Sequence, residues 1–213
     1  MSAPAAISIV PVGLRVDGRS VLVVGAGRIA ARKATAYVDQ GAVVTVVAPH
    51  HGPEMDDVAV ARRIVREFRP RDVRRRWLVV TATGVPAVDS AVFRAAERHR
   101  IWCNAADDPT NCSVILPAVA RAGDLTVAIS SGGRSPATAS WIRRRIEAML
   151  DADTMAVAAT CAQVRDEVRA AGLSTEVDAW ADLLDGEAAD LVADGRVDVL
   201  HDRLYDAVVG GRA

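Results

Sequence analysis

Lysine is almost missing from this 213-residue chain: of its 26 lysine and arginine residues, only Lys33 is a lysine. Positive charge is therefore carried by arginine, concentrated at Arg69 to Arg76 and Arg143 to Arg145. The planar arginine fork suits carboxylates and phosphates, although a coding bias toward Arg, Ala and Val accounts for the same count. The net charge is −1, which gives no global attraction to nucleic acid. No apolar run approaches the roughly 18 residues of a membrane span. The N-terminus, "MSAPAAISIVPVGL", has no basic flank ahead of its apolar part, so a signal peptide is not expected. Three cysteines, Cys103, Cys112 and Cys161, make an odd number without framework spacing. They read as reduced thiols in a cytoplasmic protein. His50 and His51 are adjacent, and neither His99 nor His201 is a spaced partner, so no metal centre is expected.

What is present is an ordinary globular composition, 51% hydrophobic and 25% charged. "SVLVV", residues 20 to 24, is an apolar strand, followed at once by the helical "GAGRIAARKATAYVDQG" and a second buried strand, "AVVTVVAP". That is one βαβ unit. The alternation continues with strands at 63 to 68, 76 to 83 and 101 to 106 and a helix over 87 to 100. It predicts an α/β fold, a Rossmann-like parallel sheet covered on both faces. After Pro109 the pattern changes. "SVILPAVA" and "LTVAISS", separated by "RAGD", have hairpin spacing. A helix follows, with Ser135 as N-cap and Pro136 in its first turn. The Ala-rich remainder predicts a small helical domain of about three helices, broken near Gly172, Gly186 and Gly195. The expected organisation is residues 1–112 for the Rossmann-like domain, 113–150 for a hairpin and helix that dimerise, and 151–213 for the helical domain.

Gly25, Gly27 and Ala30 form a G-x-G-x-x-A pattern between a strand and a helix. Gly25 permits the tight turn, Gly27 lets backbone approach a pyrophosphate, and Ala30 allows close helix–strand packing. No carboxylate ends the second strand, where Val47-Ala48-Pro49-His50-His51 stands. Either backbone groups hold the ribose there or discrimination between NAD and NADP is weak. Asp107 follows the fifth strand at the carboxyl end, where ligands gather in open α/β sheets. A base or an ordinary turn-forming aspartate fits it equally. Ser130-Ser131-Gly132-Gly133, ahead of the capped helix, fits either an anion site or a helix-entry loop.

"VLVVGAGRIAARKA", "GAVVTVVAP", "CNAADDP" and "TVAISSGGRSP", in this order and spacing, resemble the precorrin-2 dehydrogenase and sirohydrochlorin ferrochelatase family of sirohaem biosynthesis. The resemblance covers roughly residues 10 to 150. It implies a homodimer in which NAD takes a hydride from precorrin-2 to give sirohydrochlorin. Many members then insert Fe²⁺, which is a substrate rather than a resident metal. It carries the catalytic aspartate onto Asp107. It carries cofactor contacts onto Gly25, Gly27, Arg28, Ile29, Pro49, His50 and Thr83, and substrate contacts onto Asn104, Ser131, Gly132 and Arg134. No nucleic acid or membrane partner is implied. The rival reading is a dinucleotide-sensing regulatory module, which has no use for N-A-A-D-D-P or S-S-G-G-R-S-P.

Overall fold

The computed structural model describes residues 9–106, 108–173 and 180–210. Five short apolar runs form one parallel sheet: β1 (Ser20–Val24), β2 (Val43–Ala48), β3 (Arg62–Val65), β4 (Leu78–Thr81) and β5 (Trp102–Ala105). The spatial order is β3-β2-β1-β4-β5. The order reverses beside β1, so the carboxyl ends of β1 and β4 border the crevice where such sheets take ligands.

Both faces of the sheet are covered, which is why its strands read as continuous rather than alternating runs. Val21 and Val23 pack with Val44, Val46 and Val80 against Ala30, Ala31 and Ala34 of α1 (Arg28–Val38). Leu22 and Val24 face the other way, onto Val79, Cys103 and Val92, Ala95 and Ala96 of α3 (Pro86–Arg98). Each fully buried Val or Leu contributes roughly 1.5–3 kcal/mol, so these two layers carry most of the stability of this unit. A one-turn helix, α2 (Pro53–Asp56), lies between β2 and β3.

Several arginines beside and within the 69–76 cluster are structural. Arg63 donates to the carbonyls of Met55, Asp56 and Val58 at 2.6–3.1 Å, closing the end of α2. Arg66 makes a two-pronged pair with Asp72 at 2.7 and 2.8 Å. Asp72 also accepts from the Arg69 N–H, and despite partial burial these bonds hold its carboxyl below the usual range. Arg76 reaches Ser20 Oγ and Thr45 Oγ1 beneath the sheet.

The chain divides into two compact units, residues 1–116 and 117–213. In the second, β6 (Ala118–Ala122) and β7 (Leu125–Ile129) make the expected antiparallel hairpin, and α4 (Pro136–Met149) packs on it. Ser135 Oγ accepts from the Thr138 N–H at 3.2 Å, the cap read from sequence. Beyond 151 stand four described helices rather than about three: α5 (Ala152–Ala170), α6 (Trp180–Gly186), α7 (Ala188–Ala193) and α8 (Val197–Gly210). Helix breaks do fall near Gly172, Gly186 and Gly195, and α6 ends at Gly186 just ahead of α7. Val164, Val168, Leu191, Leu200 and Leu204 form their shared core with Trp180, whose indole donates to the Leu204 carbonyl at 2.8 Å. Among the described residues no helix is long and apolar enough to cross a membrane.

Candidate active site

The two glycines after β1 differ in what requires them. Gly25 has φ +108, and a Cβ there would sit 2.4 Å from the Ala82 carbonyl oxygen. The fold itself needs this glycine, because the turn is stapled by Gly25 N–H to Val47 O and Ala82 N–H to Val24 O, both 2.9 Å. Gly27 is in ordinary extended backbone, φ −83 and ψ −178, and a Cβ there would meet nothing within 4 Å. Neither strain nor protein crowding accounts for it. It opens space over the first turn of α1, where no side chain caps the helix and Arg28 and Ile29 are exposed. Uncapped N–H groups at the positive end of a helix, beside room for a backbone-close approach, fit the pyrophosphate of a dinucleotide.

The loop after β2 packs directly on this turn, with the Gly52 N–H donating to the Ala26 carbonyl at 3.2 Å. Pro49 and His50 are exposed beside it, and no carboxylate ends β2. The neighbouring ring is the inward one: His51 Nε2 is buried, without a hydrogen-bond partner.

At the end of β4 stands a group the sequence reading missed. Asp89, 7% exposed in the first turn of α3, accepts from the Thr83 hydroxyl at 2.8 Å and the Thr83 N–H at 3.3 Å, and from the Thr81 hydroxyl. This carboxylate ties the β4–α3 turn to the switch point. The Thr83 hydroxyl and N–H therefore both belong to the turn.

Asn104, next to last in β5, is buried at 6% exposure. Its amide N–H donates to the Val114 carbonyl at 3.0 Å, and its oxygen accepts from Lys33 Nζ at 3.0 Å. Cys112 Sγ accepts from the Ala105 N–H at 3.1 Å, and burial raises the Cys112 thiol pKa. Ser113 Oγ accepts from the Cys103 N–H at 2.9 Å, so the chain returns alongside β5. Asp108 folds back on its own turn, accepting from the Thr110 N–H and hydroxyl and from Asn111 Nδ2 at 2.6 Å. Those bonds hold its carboxyl below the usual carboxylate range. Asp107 lies outside the described residues. A cleft of about 210 Å³ joins the first turn of α1 to this strand end, lined by Ile29, Lys33, Asn104, Asp108, Cys112 and Leu116 among others.

Gly25, Gly27, Arg28, Ile29, Pro49, His50, Thr83 and Asn104 thus stand around the carboxyl edge of one sheet. Ser131, Gly132 and Arg134 share one loop of the second unit. There the Ser131 hydroxyl accepts from the Ser135 N–H at 3.0 Å, Gly132 has φ +62, and Arg134 is exposed. In the following helix Arg143 pairs with Glu147, and Arg145 lies 5.2 Å over the Trp141 ring.

Residues 12–118 match the putative NAD(P)-binding family model, and residues 122–149 match the sirohaem biosynthesis protein central model. The chain belongs to the putative NAD(P)-binding family. It is 40% identical over 163 residues to siroheme synthase 3 of Aeromonas hydrophila subsp. hydrophila, covering 75% of this chain and 35% of that one. It is 37% identical over 182 residues to siroheme synthase 1 of Aeromonas salmonicida, covering 83% and 39%. The chain therefore spans little more than a third of these relatives. A solved structure titled SirC, precorrin-2 dehydrogenase, matches with TM-score 0.73 at 23% identity, over 92% of this chain and 98% of that one. That likeness establishes the shared fold.

Proposed function

We propose that this chain catalyses the NAD-dependent dehydrogenation of precorrin-2 to sirohydrochlorin. The observation that carries the reading is the open space at Gly27, which neither strain nor packing requires, beside a cleft running to the end of β5. Family membership and the relatives' names support the same assignment. A sensing module has no such support.

A bound nicotinamide dinucleotide supplies the hydride acceptor. The backbone of the first turn of α1 holds its pyrophosphate, with Arg28 and Ile29 at the rim, Pro49 and His50 flanking the adenosine half, and Thr83 beside the crevice. No arginine or lysine stands at 49–52 to pair with a 2′-phosphate, which favours NAD over NADP. With the cofactor accepting a hydride, Asp107 would take the proton that leaves precorrin-2, so that the substrate's two lost hydrogens are both accounted for. Aligning the reacting carbon with the nicotinamide is most of the protein's task. Where iron insertion follows, Fe²⁺ is a substrate and the same carboxylate assists removal of pyrrole protons. Ser131, Gly132 and Arg134 supply donors to the substrate's carboxylate arms. Mixing the protein with precorrin-2 and NAD is expected to produce NADH and the sirohydrochlorin spectrum together. Neither signal appearing in folded protein sinks the reading.

The active form is a homodimer built through residues 113–150. A two-stranded hairpin with one helix is marginal alone. Here Leu125, Trp141 and Met149 are 36, 51 and 68% exposed, and Ala139 is the one buried residue of α4. Light scattering should give twice the chain mass across a wide concentration range. A persistent monomer contradicts the dimer. The three free thiols suit a reducing, cytoplasmic setting.

A further inference from the structure

We propose that the amino edge of the parallel sheet carries a second ligand site, which takes a planar aromatic ring bearing a carboxylate or phosphate against Trp77 and Trp102, its anionic group held by Arg76 and Arg100. The site stands apart from the nucleotide turn and does not depend on the precorrin-2 reading.

Topology supplies the place. The strands are parallel, so Trp77, just ahead of β4, and Trp102, first in β5, lie at the edge opposite the glycine turn. At about 3.3 Å per residue, a strand of this length separates the two edges by roughly 13 Å. Leu14, Arg76, Trp77, Arg100, Ile101 and Trp102 line a cavity there of about 250 Å³. The two indoles are 49 and 42% exposed, and neither belongs to the cores on the two faces of the sheet. Aromatic walls with a few polar groups in a concave site are the make-up of a small-molecule pocket.

Charge supplies the class of ligand. Among the described residues, no carboxylate lines the cavity, and none forms an ion pair with Arg19, Arg76 or Arg100. Arg76 is half-buried and clamped. Its Nε donates to the Asp72 carbonyl at 3.3 Å, and its Nη1 to Ser20 Oγ at 2.6 Å and Thr45 Oγ1 at 3.1 Å. All three acceptors are neutral, and Nη2 has none among the described residues. Burial pulls this guanidinium below the ordinary arginine pKa, the Asp72 charge works against that, and Arg62 adds to it. A half-buried cation without a counter-ion is costly, and an anion beside it removes that cost. Arg19 lies 4.0 Å over the Trp77 ring, which steadies the indole and adds positive charge next to the cavity.

The backbone supplies a third reason. Among the described residues the only non-glycine ones with positive φ are Arg75 and Arg100, at 60 and 55, and they precede β4 and β5. Arg100 follows the α3 C-cap, His99, at the position glycine usually takes. Glycine adopts this backbone without strain, so two arginines kept there at neighbouring strand entrances point to a use for their side chains. Indole faces stack on a planar ring, and guanidinium forks match a carboxylate or a phosphate.

The test uses naphthoate and naphthyl phosphate, which share a ring and differ in the anion, with uncharged naphthalenemethanol as control. In calorimetric titrations of the full chain at saturating NAD, at least one anion should bind saturably at one site per chain. The alcohol should bind at least about tenfold more weakly, the loss of a charge-assisted contact. The tighter anion tells an aromatic acid from a phosphate ester as the favoured ligand. Arg100→Gly should lose about tenfold in anion affinity, yet melt no lower than the unmutated protein, because glycine suits this backbone. Trp102→Ala should weaken the same anion, and both variants should keep their NAD affinity. In nitrogen-labelled protein the indole N–H resonances of Trp77 and Trp102, assigned with Trp77→Phe and Trp102→Phe, should shift as the anion is added. The site is overturned if neither anion binds, if the alcohol binds as tightly, or if the anions bind only when NAD is absent. Unchanged anion affinity in folded Arg100→Gly and Trp102→Ala, or shifts confined to Trp141, overturns it as well.

Discussion

Gly27→Asp should leave a folded protein that no longer binds NAD. The substitution introduces no backbone strain, since Gly27 has φ −83 and a new Cβ meets no atom within 4 Å. Aspartate is also a good N-cap, so α1 should be stabilised by a few tenths of a kcal/mol relative to glycine. The carboxylate would accept the N–H groups of the first turn that the pyrophosphate otherwise uses, and would place like charge against it. Like-charge juxtaposition costs several kcal/mol, so the affinity should fall by about 10²-fold or more. Gly25→Ala is the informative contrast. Its Cβ collides with the Ala82 carbonyl at 2.4 Å and its φ is +108, so the loss there should be of stability, by more than about 1–2 kcal/mol. Calorimetric titration with NAD and a thermal melt on both variants separate the two roles. Unchanged NAD affinity in folded Gly27→Asp removes the glycine turn from the cofactor site.

The legible part of this molecule is local. The parallel sheet follows from apolar runs alternating with helical spacing, and the turn at Gly25 from its place between strand and helix. Asp108 as a turn former follows from the Asp-Pro step, and its carboxylate does cap the turn that Pro109 begins. Side-chain pairs that are distant in sequence leave no such period. Asp89 looks like any first-turn acid of an amphipathic helix, and only the fold brings Thr81 and Thr83 onto it. Lys33 and Asn104 lie 71 residues apart, in segments read separately as a helix and a strand. The arginines mislead in the opposite direction. In the 69–76 cluster Arg76 is held by Ser20 and Thr45, and just ahead of it Arg66 is paired with Asp72. Ser131 shows the same mixture, since its hydroxyl already serves the helix entry while its loop remains the proposed donor to the substrate.

Asp107→Ala should lose dehydrogenation by about 10²-fold or more, the usual contribution of a general base, while Asp108→Ala keeps most of it. The two acids carry the same charge one residue apart, so the pair of variants separates position from charge. Asp108 is committed elsewhere. Its oxygens accept from Thr110 and Asn111, and those bonds hold its carboxyl below the usual carboxylate range. Removing it should therefore loosen the 109–111 turn and lower stability modestly. In sequence Asp107 comes two residues after β5, within which Cys112 and Ser113 hold the Ala105 and Cys103 N–H groups. Initial rates of NADH formation, and of sirohaem formation with Fe²⁺, decide between the acids. Both rates should collapse together in Asp107→Ala if one carboxylate serves both steps. Normal turnover by Asp107→Ala alongside a dead Asp108→Ala would move the base to Asp108 and require the 109–111 turn to open during catalysis.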